Sequence, residues 1–162
     1  PLHVPVRRRL PFHFPDQQAY PDSAHLDFDC EALCWSGGWL YVLTKHRSDT
    51  ATTLYRLDPR RADEQAAERL GSRGLGSPVT GADASRDGRF LAVLTYRDVF
   101  LFERPARGHD LLAGRRWRVP IAAGQCEGIC FDGDRLLVTN EQRSIYCLPL
   151  ARVRPPGGRG AA

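Results

Sequence analysis

The sequence contains no methionine, and only one of its 23 basic residues, Lys45, is a lysine. Because the chain starts at Pro1 without a methionine, we expect the natural product to begin further upstream, so that this chain is a processed product or a fragment. No apolar run approaches the roughly 20 residues that a membrane-spanning helix needs, and no signal peptide opens the chain. The sequence therefore predicts a globular domain without a membrane span.

Motifs of several enzyme classes are also absent. There is no GxSxG nucleophile elbow, no HExxH zinc motif and no phosphate-binding loop. The net charge of +4 comes from scattered arginines, and the two basic clusters, at 7–9 and 152–159, have no interleaved aromatic residues. We therefore expect no nucleic-acid binding.

The sequence has five cysteines, an odd number, and four of them form two CxxxC motifs at 30–34 and 126–130. On a β-strand, residues four apart are separated by about 13 Å, which is too far for one zinc ion or for a disulfide within either pair. We predict reduced, mostly buried thiols on one strand face, with the small residues Ala32 and Gly128 between them, packed against a neighbouring sheet.

Short runs of β-branched and aromatic residues, separated by glycine-containing turns, predict β-structure throughout. Residues 60–70 fit a helical turn or two, an outer strand or a long inter-strand loop, and we favour the last two. Residues 151–162 are predicted to be a disordered tail from their composition. The predicted strands are 39–45, 52–58, 89–96, 99–104, 116–121, 135–141 and 144–150.

One segment recurs along the chain. "DCEALCWSGGWLYVLTK" (29–45) aligns without a gap on "QCEGICFDGDRLLVTNE", 96 positions later, so that Glu31 meets Glu127. A middle copy, "TGADASRDGRFLAVLTY" (80–96), fits at a shift of 51, and its acid, Asp83, falls one place after the position of Glu31. A repeat of roughly 40–50 residues with about four strands is the signature of a β-propeller blade.

The repeat predicts an all-β partial propeller of about three four-stranded antiparallel blades over residues 1–150. The predicted blades are 26–75, 76–122 and 123–150, and residues 1–20 would be outer strands of a preceding blade. A closed propeller needs at least four blades, so an incomplete ring would expose a sheet edge and an apolar face. The expected partners are therefore missing N-terminal blades or another copy of the chain.

Polar residues recur at matching places on the predicted innermost strands and at the ends of the second strands. Because innermost strands line the channel of a propeller, we expect these side chains to converge at its mouth, where they would bind a small molecule or a protein. Structural ion pairing between blades is the alternative. The candidate ligand-binding residues are Asp29, Glu31, Lys45, Asp83, Gln125, Glu127, Asn140 and Glu141.

The acids among these residues also suggest a metal site, because hard cations such as Ca²⁺ prefer oxygen ligands. The candidate calcium ligands are Glu31, Asp83 and Glu127. In that case the protein would be a calcium-dependent hydrolase of an ester, lactone or phosphoester, with Lys45 as a catalytic residue that stabilises negative charge. Without a metal, the same surface indicates a non-catalytic binding domain.

Seven motifs occur in a fixed order along the chain: "FPDQ" (14–17), "DCEAL" (29–33), "LYVLTK" (40–45), "LYRL" (54–57), "VTGADASRDGRFLAVLTY" (79–96), "GQCEGICF" (124–131) and "TNE" (139–141). In this order they resemble a group of largely uncharacterised bacterial β-propeller proteins, many of them secreted. The resemblance covers about residues 12–150 and implies a propeller, further blades upstream, and a secreted or periplasmic location, but no established activity. The inner-strand acids are also similar, at the level of fold, to calcium-dependent propeller lactonases and phytase-like esterases.

Overall fold

The computed structural model describes residues 7–20 and 26–154, and these residues form an all-β protein with one short helical turn. Within this part of the chain, no helix is long and apolar enough to cross a membrane. The elements are β1 (Phe12–His13), β2 (Asp29–Ser36), β3 (Trp39–Lys45), β4 (Ala51–Leu57), β5 (Gln65–Ala66), β6 (Glu68–Gly74), β7 (Val79–Ala84), β8 (Phe90–Thr95), β9 (Asp98–Glu103), β10 (Arg116–Pro120), β11 (Cys126–Asp132), β12 (Arg135–Asn140), β13 (Ile145–Pro149) and α1 (Leu150–Val153).

Three antiparallel sheets follow one another along the chain. The first sheet has the order β2–β3–β4–β6, the second β7–β8–β9–β10, and the third β11–β12–β13. Each lies within one of the predicted segments 26–75, 76–122 and 123–150. In the described residues the third sheet has three strands, where the sequence predicted four.

The seven strands predicted from hydrophobic runs are all present. Residues 60–70 contain β5 and the start of β6, which is the outermost strand of the first sheet, so the interpretation as an outer strand is confirmed. Short turns that contain glycine connect the first two strands of each sheet, and Gly37, Gly88 and Gly133 there have positive φ.

The first and last described segments of the chain both pack on the sheets. β1 pairs in parallel with β5, and the ring of Phe14 lies 4.5 Å from the ring of Tyr55. Residues 1–6 of the predicted preceding blade lie outside the described residues. The prediction of a disordered tail is wrong for 151–154, because α1 buries Val153 against the second and third sheets; residues 155–162 also lie outside the described part.

The second sheet lies between the other two, and both of its faces are covered. One face forms a core with the first sheet through residues such as Leu43, Phe100 and Phe102. The other face packs on the third sheet, where Leu94 meets Val138 in a second core. Its strands therefore read as continuous apolar runs, which is typical of strands buried on both faces.

A β-bulge interrupts the first strand of each sheet at the same place. The ladder skips Glu31 in β2, Thr80 in β7 and Glu127 in β11. A bulge adds one residue and so reverses which face the side chains on either side of it occupy. The strands β2, β7 and β11 lie side by side, so the three bulges stand at one level of neighbouring strands.

The bulges overturn the prediction that each CxxxC pair shares one face. In β11, Cys126 is buried against the second sheet, whereas Cys130 lies on the opposite, uncovered face. The expectation of mostly buried thiols is also wrong, because Cys30, Cys130 and Cys147 are exposed. All five thiols are free, which agrees with the argument from strand geometry against a disulfide within either pair.

Candidate functional site

The bulges and the last residues of the second strands bring a group of polar side chains to one end of the three sheets. We call this group the end cluster; it consists of Asp29, Glu31, Lys45, Arg47, Tyr96, Gln125, Glu127 and Glu141. Lys45 ends β3, and Tyr96 and Glu141 directly follow β8 and β12, so all three stand at matching places of successive sheets.

Lys45 is the centre of the first half of the end cluster. Its Nζ donates hydrogen bonds to Glu31 Oε1 at 3.3 Å and to the hydroxyl of Tyr96 at 3.2 Å, and it lies 5.2 Å from the centre of the Tyr96 ring. Only 8% of the residue is exposed. A flexible ammonium suits this position because its three donors can reach both sheets, so Lys45 links the first sheet to the second.

The same contacts change the pKa of Lys45. Burial acts to lower it, but the hydrogen bonds to Tyr96 and Glu31, together with the charge of Glu31, outweigh burial and raise the pKa above its ordinary value of 10.5. Lys45 is therefore protonated at neutral pH.

The raised pKa predicts how the contribution of Lys45 to stability depends on pH. A group whose pKa rises on folding stabilises the protein fully below its unfolded value, and this stabilisation is lost as the pH rises through the folded value. The difference in unfolding free energy between wild type and Lys45→Met should thus stay constant from about pH 7 to 9 and shrink above about 10.5. Urea unfolding at several pH values measures it.

A control is needed because Lys45 Nζ also bonds to the hydroxyl of Tyr96, so two partners contribute to its raised pKa. In a Tyr96→Phe background, the part of the pH dependence that comes from the Lys45–Glu31 pair should remain. The assignment would be contradicted if the difference in unfolding free energy between wild type and Lys45→Met already decreased at pH values under 9. It would also be contradicted if this difference stayed constant up to pH 11.

Arg47, two residues beyond Lys45, extends the cluster. Its Nε and Nη2 donate to Asp29 Oδ2 at 2.8 and 2.6 Å, and its backbone N–H donates to Asp27 at 2.8 Å. Asp27 also accepts hydrogen bonds from the backbone N–H and the hydroxyl of Ser48, which fixes the loop after β3. Asp29 is therefore held by a guanidinium that remains half exposed.

The second half of the end cluster is acidic. Gln125 Nε2 donates to Glu127 Oε1 at 2.9 Å and to Glu141 Oε1 at 3.1 Å, so one neutral amide holds two exposed carboxylates. An amide orients these groups without neutralising them. This half of the cluster therefore presents two negative charges to solvent.

Asn140 was a candidate ligand-binding residue, and the structure engages it in a loop instead. Its Nδ2 donates to the carbonyl of Ala123 at 2.7 Å and to the hydroxyl of Tyr146 at 3.3 Å, and its Oδ1 accepts from the backbone N–H of Ser144. With both ends of the amide bonded, its role is to position the loops on either side of β12.

Asp83 does not join the end cluster. Its Oδ2 accepts the backbone N–H of Phe131 at 2.8 Å and its Oδ1 accepts that of Ala84 at 2.9 Å, so the carboxylate connects the second sheet to the third. Burial raises the pKa of the Cys34 thiol, and the nearby charge of Asp83 raises it further, to about 12. Asp83 stands three residues beyond the bulge, which is about 10 Å along the strand.

The sequence alignment set Asp83 next to the position of Glu31 because it did not allow for turns of different length. Ser36 pairs with Trp39, whereas the equivalent Ser85 bonds to Phe90, so the turn of the second sheet is two residues longer. The gapless shift of 51 therefore holds for β3 and β8 but not for β2 and β7, and Thr80 takes the position of Glu31.

The predicted calcium ligands are consequently not assembled. Glu31 pairs with Lys45, Asp83 is bonded to backbone N–H groups, and Glu127 lies in the third sheet beside Gln125. Among residues 7–20 and 26–154, no group of three or more histidine, cysteine or acidic side chains is arranged to hold a metal ion. Glu31, Asp83 and Glu127 thus have separate partners in this structure, and a calcium site formed by the three together stays a prediction.

Comparisons with known proteins add little. No protein-family model matches the chain, and no curated protein matches it. Among solved structures, the crystal structure of the computationally designed Ika4 protein is similar with 9% sequence identity and a TM-score of 0.39, over 87% of this chain and 98% of that chain. A likeness at this level carries no argument about the function of the present chain.

Proposed function

We propose that the chain is part of a β-propeller that binds a ligand at its channel mouth without catalysing a reaction. The observation that carries this proposal is the coincidence of the bulges at Glu31, Thr80 and Glu127, which stand at one level of three neighbouring first strands. Consecutive sheets whose first strands lie side by side are what a propeller requires around its channel. The end cluster would then form part of the rim of that channel.

Binding is better supported than catalysis because the one candidate catalytic group is engaged. Lys45 is almost buried and its ammonium already donates to Glu31 and Tyr96, so it is not presented to a substrate whose negative charge it would stabilise. The exposed carboxylates of Glu127 and Glu141 are held by Gln125, which is uncharged. Such a pair favours a ligand with protonated amines, such as a polyamine or a lysine-containing segment of a protein.

Spermidine tests this proposal as a soluble amine probe, by calorimetric titration at low salt, where exposed charges are little screened. We expect binding to weaken by roughly tenfold or more in a Glu127→Gln/Glu141→Gln double variant, which equals about 1.4 kcal/mol. Asp134→Asn, an exposed acid in the turn between β11 and β12, is the single-charge control and should bind as wild type does. Equal binding by all three proteins, or none by wild type, would refute the assignment of the amine site.

Calcium provides the contrasting arm. An ion that binds only the folded state must raise the melting temperature of the protein. Because Glu31 and Asp83 are already bonded within the protein, we expect millimolar Ca²⁺ to leave the melting temperature of wild type unchanged. A rise that is lost in Glu127→Gln would favour the alternative, a calcium-dependent hydrolase of esters, lactones or phosphoesters.

A further inference from the structure

The third sheet leaves one face uncovered, and this face corresponds position by position to a covered face of the second sheet. The strand pairing defines the correspondence, because residues opposite each other across a ladder share a face. Ile145 at the outer face is 72% exposed, whereas its counterpart Val99 is fully buried by the third sheet. The matching pairs are Leu137 and Ala92, Cys147 and Leu101, and Ile145 and Val99.

The first sheet leaves the complementary face partly uncovered. Leu33 is 61% exposed and Trp35 is 56% exposed. Neighbouring large apolar side chains that are exposed in this way commonly mark a surface that binds a partner. Their counterparts in the third sheet pack against the second sheet. The matching pairs are Leu33 and Ile129, Trp35 and Phe131, and Cys30 and Cys126.

The cysteines follow the same division. Cys34 and Cys126 lie on faces that a neighbouring sheet covers, and both are buried. Cys30, Cys130 and Cys147 lie on the two uncovered faces, and all three are exposed. The uncovered faces thus carry the same residue types as the buried interfaces.

The position of β1 indicates what fills the space beside the first sheet. β1 bonds to β5 and lies over the first sheet, and a groove of about 790 Å³ separates this N-terminal segment from β2. Phe12 and Cys30 both line the groove. Phe12 and Phe14 cover Val42 and Tyr55 of the first sheet, so the N-terminal segment covers the part of the outer face formed by β3 and β4 and leaves the part formed by β2 open.

We propose that two copies of this chain associate head to tail, the outer face of each third sheet covering the first sheet of the other, to close a ring of six sheets. This inference rests on the partial propeller of the proposed function. Two contacts between unlike faces form a closed assembly when the rotation between copies completes a circle, and six sheets lie within the range of four to eight blades found in propellers.

Light scattering coupled to size exclusion tests the assembly. We expect wild type to have twice the monomer mass of 18.1 kDa. Ile145→Arg places a charge in the proposed interface and should halve the measured mass. Because Ile145 is exposed in the single chain, circular dichroism should show that the variant remains folded. Ala106→Arg, in an exposed loop of the second sheet, adds the same charge and should remain dimeric.

A mixing experiment distinguishes head-to-tail association from a symmetric contact of like faces. Ile145→Arg and Leu33→Arg should each be monomeric alone, because each disrupts both contacts of its own dimer. Mixed together, they should form a mixed dimer through the one contact that keeps two unaltered faces. A wild-type dimer whose variants show no such rescue would overturn the head-to-tail arrangement.

Alkylation of thiols gives a readout without mutation. Cys130 and Cys147 should react with iodoacetamide several-fold more slowly in the wild-type dimer than in the Ile145→Arg monomer, while Cys34 should be protected in both. A wild type of 18.1 kDa at every concentration would overturn pairing with a second copy and leave a sheet from a longer polypeptide as the occupant. Masses beyond two copies would overturn closure. Spermidine binding would remain an independent test of the proposed function.

Discussion

Phe102→Ala is expected to lower the free energy of unfolding by about 3–5 kcal/mol. Phe102 is fully buried in the core between the first and second sheets, and its ring stacks on Phe100 with 6.3 Å between the ring centres. Truncation removes this buried area and leaves a cavity that two rigid sheets cannot close. Urea unfolding followed by tryptophan fluorescence measures the effect as a lower midpoint.

Phe90→Ala is the matched control, because it removes the same side chain from a partly exposed position. The Phe90 ring lies under Arg89 and Arg154, with 5.6 and 5.3 Å between guanidinium carbon and ring centre. We expect a loss of about 1 kcal/mol, because the ring is only half-buried at the edge of the core between the second and third sheets and cation–π contacts near the surface contribute little. Similar losses for both variants would contradict a packed core between the first and second sheets.

Asp83→Asn is expected to cost about 1.5–3 kcal/mol, the range for hydrogen bonds to a charged group. The two carboxylate oxygens accept from the backbone N–H groups of Phe131 and Ala84. An amide of the same shape has only one acceptor, so one of these donors must face an NH₂ group. The third sheet would lose a direct link to the second, and the midpoint of urea unfolding should fall.

Asp134→Asn provides the control for the same chemical change at an exposed turn and should alter the free energy of unfolding by less than about 0.5 kcal/mol. Hydrogen exchange locates the effect: in Asp83→Asn, the amide of Phe131 should exchange faster than in wild type. If that amide remains equally protected, Asp83 does not connect the two sheets.

The strands could be predicted from the sequence because the strands of all three sheets carry apolar residues in short runs between turns. In the first and second sheets these residues form cores on both faces, and in the third sheet they form a core on the face against the second sheet. Residues 39–45 and 135–141 show this pattern directly. The bulges could not be predicted, because a bulge depends on pairing between strands and leaves no composition of its own: the bulged residues are two glutamates and Thr80. For this reason the sequence analysis placed the two cysteines of each pair on one strand face, whereas the bulge puts them on opposite faces.

The site was predictable where the copies align without a gap and not elsewhere. Glu31 and Lys45 were identified from their recurrence and are bonded to each other. Tyr96 and Arg47 were missed, although Tyr96 stands at the Lys45 place of the middle copy, which was a usable signal. Asp83 stands away from the end cluster because the longer turn of the second sheet shifts β7 relative to β8, which the gapless alignment did not take into account.

A crystal structure of this chain tests the central claim most directly, because the claim concerns the register of three strands. We predict that β2, β7 and β11 lie side by side and that the ladders skip Glu31, Thr80 and Glu127 at one level, with Lys45 bonded to Glu31 and Tyr96. Regular pairing through Glu31 or Glu127, or a β7 that does not lie between β2 and β11, would contradict the account.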